Sequence, residues 1–187
     1  MKTALFIDFD DSFSYNIIQE LMELGIKVKA IHWKDFESRP TEDLLVLGPG
    51  PGHPDDYQNI YPLVQEWLDQ KRPFFGVCLG HQIFWRLQGE EIIRSKTPLH
   101  GQKILLNLDK VWRSWLNLSG KVFVQRYNSL CVPAQATLRN PYIENFIQDD
   151  EVLISKGSHF ITYQFHPESL GTSYRKSFFM PILRVIV

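Results

Sequence analysis

The chain has 187 residues, 44% of them apolar, and its 20 basic and 21 acidic side chains leave a formal net charge of -1. That length can bury one core of ordinary size, and the absence of a basic block argues against nucleic acid as a partner. No apolar run approaches the ~18 residues of a membrane span, and the opening MKTALFIDFD reaches aspartates too early for a signal peptide, so no membrane association is expected and the compartment is read as cytoplasmic.

TALFIDF is a short β-rich run. The stretch SFSYNIIQELMELG then sets Phe13, Ile17, Ile18, Leu21 and Leu24 at helical spacing, with Ser12 as the expected N-cap and Gly25 as the stop. IKVKAIHW alternates like a strand, and DLLVLG is a buried strand closed by PGPGHP. YPLVQEWLDQ puts Leu63, Val64, Trp67 and Leu68 on one helical face. PFFGVC reads as another buried strand, and LGHQIFWRLQG as a helix ending at Gly89.

Short apolar strands alternating with amphipathic helices imply a parallel sheet covered on both faces. Beyond Glu91 the pattern changes. EEIIRS, KILLNL, KVFVQRY and SLCVPAQATL read as short strands that extend the sheet in mixed or antiparallel fashion. EVLISKG and HFITYQFH are the expected last two strands, and SYRKSFFMPILRVIV is a closing helix kinked at Pro181. The expected fold class is α/β: a flavodoxin-like, mostly parallel open sheet with a mixed or antiparallel extension in the C-terminal half. Without a linker or internal repeat, residues 1–187 are read as one domain.

Cys78 and Cys131 do not form a disulfide framework and are expected to be free thiols. The six histidines are scattered, and no Cys or His pair has zinc-site spacing, so neither metal nor cofactor is expected.

GVCLGHQ, residues 76–82, places Cys78 between Gly76 and Gly80 where a strand gives way to a helix. A nucleophile on such a sharp turn needs small neighbours, as in the Gly-x-Ser-x-Gly elbow. The turn would present the sulfur at the carboxyl end of the sheet, and the positive end of the next helix favours thiolate. A buried core cysteine is the competing reading of Cys78, as it is of Cys131 in SLCVP.

A cysteine nucleophile needs a base, and the base an orienter. In QFHPES, His166 and Glu168 are two residues apart in an extended segment and can project to one side, with Pro167 stiffening the pair. His166 could take the thiol proton while Glu168 holds its other ring nitrogen. GPGPGHP, residues 48–54, allows close backbone approach to a ligand, and one of its amides with that of Leu79 could hold an oxyanion. The competing reading is a Pro/Gly turn.

IDFDDSFSYN, GPGPGHP, GVCLGHQ, LHGQ, RYNSL and QFHPES occur in this order, and the set resembles the class I, triad-type glutamine amidotransferases over nearly the whole chain. The closest likeness is to the glutaminase subunits of anthranilate synthase and aminodeoxychorismate synthase. The resemblance implies that Cys78 attacks the side-chain amide of L-glutamine, with His166 as base then acid and Glu168 as its orienter. It implies Gly50 and Leu79 at the oxyanion hole, and Gln82, Ser129 and Leu130 at glutamine's α-amino and carboxylate groups. His81 would be structural. It also implies a heteromer, in which ammonia passes to a chorismate-binding synthase subunit.

The chain departs from that family's usual motifs at Phe9 and Asp10, at Asn128 where a histidine is usual, at His100-Gly101-Gln102, and at ISKGS before the last strand. None of these is a triad position. Two further readings stand beside the leading one: a stand-alone hydrolase of γ-glutamyl or other amides, and a non-catalytic regulatory subunit on the same fold.

Overall fold

The computed structural model describes residues 1–186. The first half of the chain is β1 (Thr3–Asp8), α1 (Ser14–Glu23), β2 (Lys27–His32), β3 (Leu44–Leu47), α2 (Tyr61–Asp69), β4 (Phe74–Val77) and α3 (Leu79–Leu87). The second half adds β5 (Ile93–Arg94), β6 (Gln102–Leu105), α4 (Lys110–Trp115), β7 (Phe123–Arg126), β8 (Leu130–Cys131), β9 (Glu144–Gln148), β10 (Glu151–Lys156), β11 (Phe160–Tyr163), α5 (Arg175–Phe179) and α6 (Ile182–Val185). No helix among the described residues is long and apolar enough to cross a membrane.

Seven strands form the main sheet in the order β2-β1-β3-β4-β11-β10-β9. The first five run parallel, and β10 and β9 pair antiparallel beyond them. This is the expected flavodoxin-like order with an antiparallel extension. The strands are apolar without alternation because both faces are covered. Ala4 and Phe6 of β1, Val46 of β3 and Phe75 of β4 pack with α1, α4, α5 and α6 on one face. Leu5, Ile7, Leu45, Leu47 and Phe74 pack with α2 and α3 on the other. Gly25, at φ 79°, stops α1 as expected.

Three local expectations are corrected. Ser12 is not the N-cap of α1: the helix begins at Ser14 behind Phe13, without a side-chain cap. Asp10, at φ 63°, takes up one more residue of turn. Asp11 Oδ1 accepts from the Phe13 amide at 2.8 Å instead, and the Ser14 hydroxyl donates to Asp8 Oδ1 at 2.6 Å.

The four strands expected between Glu91 and Leu138 do not extend the main sheet. Among the described residues β5 pairs with β8 and β6 with β7, as two separate ribbons. The extension is made by β10 and by β9, which lies in a stretch not expected to be a strand. A second unexpected element, α4, is capped by Asp109, whose Oδ1 accepts from the Trp112 amide at 2.9 Å. Its Trp112 packs with Leu106, Leu108, Val122 and Val124, so the apolar side of the β6–β7 ribbon is buried against this helix and the sheet's first face. The closing helix is broken rather than kinked: α5 and α6 are separate short helices on either side of Met180 and Pro181.

Candidate active site

β4 ends at Val77 and α3 begins at Leu79, so Cys78 alone makes the turn, at φ 52° and ψ -98°. A non-glycine residue there is strained by about 1–3 kcal/mol. The surroundings hold it in place. The Cys78 amide donates to the Tyr163 carbonyl at 2.8 Å, and the Gly80 amide to the Gly48 carbonyl at 3.2 Å. The two flanking glycines are required by contact: a Cβ on Gly76 would lie 2.8 Å from the Gly80 oxygen, and one on Gly80 2.2 Å from the Leu47 oxygen. The strand-to-helix elbow read from GVCLGHQ is therefore present. The Leu79 amide heads α3, where no preceding turn can accept from it.

The GPGPGHP loop leaves the end of β3 beside this turn and is stiffened from several directions. Tyr57 donates its hydroxyl to the Pro51 carbonyl at 2.9 Å, and Asp56 Oδ2 accepts from the His53 amide at 2.7 Å. Arg86 of α3 reaches Asp55 at 2.8 Å, tying the loop's far end to the helix that Cys78 precedes. Gly50 lies against Phe9 and Leu79: a Cβ on it would come within 2.5 Å of Phe9 Cβ and 2.6 Å of Leu79 Cδ2. Phe9, where the sequence departs from the usual motif, is thus a wall of this loop.

His166 and Glu168 follow β11, with His166 Nδ1 and Glu168 Oε1 2.6 Å apart and both side chains buried. The other carboxylate oxygen, Oε2, is buried without a hydrogen-bond partner among the described residues. Burial opposes a charge on His166, but the Glu168 carboxylate it is hydrogen-bonded to, together with nearby Cys78, outweighs it and holds the imidazole's pKa well above its ordinary value. Phe13 and Tyr127 pack their rings on the imidazole, with centroids at 5.3 and 5.0 Å. Gln125 anchors the segment: its carbonyl accepts from the His166 amide at 3.0 Å and its Oε1 from the Gly171 amide at 3.0 Å.

A cavity of about 120 Å³ opens beside the sulfur, lined by Gly50, Pro51, Gly52, Cys78, Gln82, Tyr127, Asn128, Ser129 and Leu130. Of the residues expected to meet glutamine, Gly50, Gln82, Ser129 and Leu130 stand on one cavity with Cys78, and Leu79 follows Cys78 without lining it. They are not equally free. The Leu130 carbonyl already accepts from Gln82 Nε2 at 3.0 Å and from Asn128 Nδ2 at 2.9 Å. The carbonyl of exposed Ser129 accepts from the Ser95 amide at 2.9 Å, which leaves its hydroxyl. Behind this wall a buried ion pair joins Arg126 to Glu151, and Arg126 Nε donates to Asn128 Oδ1 at 3.0 Å.

Gln164 and Phe13 touch this constellation without having been read as site residues in the sequence. Gln164 is fully buried and donates from Nε2 to Cys78 Sγ at 3.8 Å. Phe13 covers His166 from α1's entry turn. For Gln164 the signal was strand alternation, which puts it on the same side as His166 two residues on. Two others are set aside by their surroundings. His81 is fully buried between Thr162 Oγ1 at 2.8 Å and the Val152 carbonyl at 3.1 Å, and burial pushes its pKa down to about 3. It braces α3 to the sheet as a neutral ring. Cys131 is buried beside Glu151, and burial, with that carboxylate, pushes its thiol up to about 12. Among the described residues, no group of three or more His, Cys, Asp or Glu side chains could hold a metal ion.

The family model described as glutamine amidotransferase class-I matches residues 5–183. The chain belongs to that family. Among the class I glutamine amidotransferases it is similar to a Helicobacter pylori protein named anthranilate synthase component 2, at 34% identity over 89% of each chain. A Saccharolobus solfataricus protein of the same name is 33% identical, covering 92% of this chain and 93% of that one. A crystal structure of a glutamine amidotransferase from Thermotoga maritima superposes with a TM-score of 0.71, covering 89% of this chain and 76% of that one. At 18% identity that likeness concerns the fold alone. Membership of this family makes the chain a glutamine-hydrolysing enzyme.

Proposed function

We propose that Cys78, His166 and Glu168 hydrolyse L-glutamine, and that residues 1–187 act as one domain supplying the ammonia of an anthranilate synthase. The observation that carries this reading is the strained Cys78 turn at the cavity, with the buried His166–Glu168 pair near it.

In this reading Cys78 Sγ attacks the side-chain amide carbon of glutamine. The carbonyl electrons move onto oxygen, which the amides of Gly50 and Leu79 receive; neither amide has an acceptor among the described residues. One such donor contributes roughly 3 kcal/mol to the transition state. The C–N bond breaks as His166 passes its proton to nitrogen, ammonia leaves, and a γ-glutamyl thioester remains. His166 then takes a proton from water, whose oxygen attacks the thioester carbon. Glutamate departs and the sulfur is restored. Glu168 holds the ring in one tautomer throughout and offsets the imidazolium charge.

The cavity suits the substrate's other end. Both hydrogen bonds of the Gln82 side chain use Nε2, which leaves Oε1 to accept from an α-ammonium group. The Ser129 hydroxyl can serve the α-carboxylate. Leu130 contributes as wall, its carbonyl being already occupied. The names of the similar proteins support anthranilate synthesis, with a chorismate-binding synthase as partner; synthesis of 4-amino-4-deoxychorismate rests on motif resemblance alone.

The test is capture of the tagged protein with its synthase partner, followed by assay with chorismate and either glutamine or ammonia. Wild type should make anthranilate from both. Cys78→Ser should keep only the ammonia-dependent reaction. Glutamine-dependent synthesis surviving in that variant would sink the catalytic assignment, and 4-amino-4-deoxychorismate as sole product would reassign the branch.

A further inference from the structure

We infer that Gln164 is a positioning residue for the Cys78 sulfur, and that the cavity wall dictates which way its amide faces. The inference rests on the glutaminase reading and adds a side chain that the triad omits.

A fully buried primary amide needs partners for both ends. The Gln164 partners form a line. Its Nε2 donates to Cys78 Sγ at 3.8 Å, and its Oε1 accepts from Gln82 Nε2 at 3.2 Å. Gln82 Nε2 also donates to the Leu130 carbonyl at 3.0 Å. A backbone carbonyl accepts and never donates. It therefore fixes the nitrogen of Gln82, not the oxygen, toward the wall. The same nitrogen needs an acceptor on its other side, so Gln164 turns its oxygen to Gln82 and its nitrogen to the sulfur. Asn128 Nδ2, donating to the same carbonyl at 2.9 Å, steadies the start of the line.

Polarity thus runs from a peptide group of the wall through two amides to the nucleophile. A donor at the sulfur end favours the anion that attacks and restrains the direction of its lone pairs. Gln164 itself does not line the cavity, so it acts through Cys78 and Gln82 rather than on substrate. Two side chains of one extended segment, Gln164 and His166, then serve the same sulfur, the first by orienting it and the second by exchanging its proton.

The test is alkylation of the whole chain by iodoacetamide at pH 7 without substrate, read as mass gain on the Cys78 peptide. Wild type, Gln164→Leu, Gln164→Glu and Gln82→Glu are compared. Both Gln164 variants should be labelled about tenfold more slowly or worse, the order of one lost hydrogen bond to a charged group. Gln82→Glu cannot donate to Leu130 or to Gln164 and should slow labelling too, although none of its side-chain hydrogen bonds reaches Cys78. In glutamine hydrolysis, Gln164→Leu should lose kcat while KM stays within about twofold. A purely structural role would lower the urea midpoint of the Gln164 variants and leave labelling of the folded molecules at the wild-type rate, which would overturn the inference. Should neither Gln164 variant fold, Gln82→Glu decides alone, and unchanged labelling there refutes the line of amides. Failure of the underlying reading looks different: Cys78→Ser would still hydrolyse glutamine.

Discussion

Gly80 of α3 is pressed so closely on the end of β3 that a single methyl group there would lie 2.2 Å from the Leu47 carbonyl oxygen. This approach brings the Cys78 turn beside the Gly48–Gly50 loop, and the contact is with backbone, which cannot swing away. Gly80→Ala should therefore cost about 3 kcal/mol or more, the upper end of overpacking. Urea unfolding measures the stability, and loss of glutaminase activity in the residual folded fraction should accompany it.

The His166–Glu168 pair gives stability a definite dependence on pH. The folded-state pKa of His166 lies well above the ordinary histidine value of about 6.5. A raised folded value means that the contribution is fully present below about pH 6.5 and is lost as pH rises through the folded value. The urea midpoints of wild type and His166→Gln should then differ most in acid and converge in alkali. A gap that widened above neutrality would mean that His166 is not held as the imidazolium.

Glu168→Gln keeps the shape of the orienter and removes its charge. The imidazolium loses its counter-ion and the tautomer its restraint, so kcat should fall by roughly 10²–10⁴, the range of a mis-set general base. The site of buried Oε2 has no partner among the described residues, so an amide placed there leaves an unsatisfied group and should cost about 1–3 kcal/mol. Steady-state kinetics and urea unfolding of the one variant check both statements.

The two free cysteines should separate cleanly in labelling. Cys78 lines the cavity, whereas burial and Glu151 push the Cys131 thiol up to about 12. In the native protein at neutral pH a diazo-ketone glutamine analogue should modify Cys78 alone, and peptide mass spectrometry locates the adduct. Labelling of Cys131 first would show that the wrong thiol had been assigned.

The proposed reactive centre was legible because the chemistry it would perform leaves local marks. Gly76 and Gly80 flank Cys78 because neighbouring backbone leaves no room for a Cβ, and such a demand appears as glycine in any sequence. His166 and Glu168 were readable because an extended segment puts alternate residues on one side. Gln164 carried no comparable mark: a buried amide looks like any polar residue until its partners, far away in sequence, are known. The misplaced strands fail for a related reason. β9 is an edge strand with Phe146 as its one buried residue, so its sequence ENFIQ is mostly polar. The β6–β7 ribbon is apolar on one side because α4 and its Trp112 cover it, and no period within the ribbon itself tells a sheet neighbour from a helix. The Asp109 cap of α4 was a readable signal. Where the sheet ended was not, since pairing across long stretches of chain decides it.

In the proposed mechanism the backbone at position 78 sets activity against durability. Glycine adopts the φ 52°, ψ -98° turn at less cost than any residue with a side chain. The molecule keeps a sulfur where its scaffold would be more relaxed without one. In a library selected for heat resistance alone, with glutamine turnover left unscreened, glycine should accumulate at this position. The survivors would be sturdier proteins that have given up the reaction for which the turn was strained.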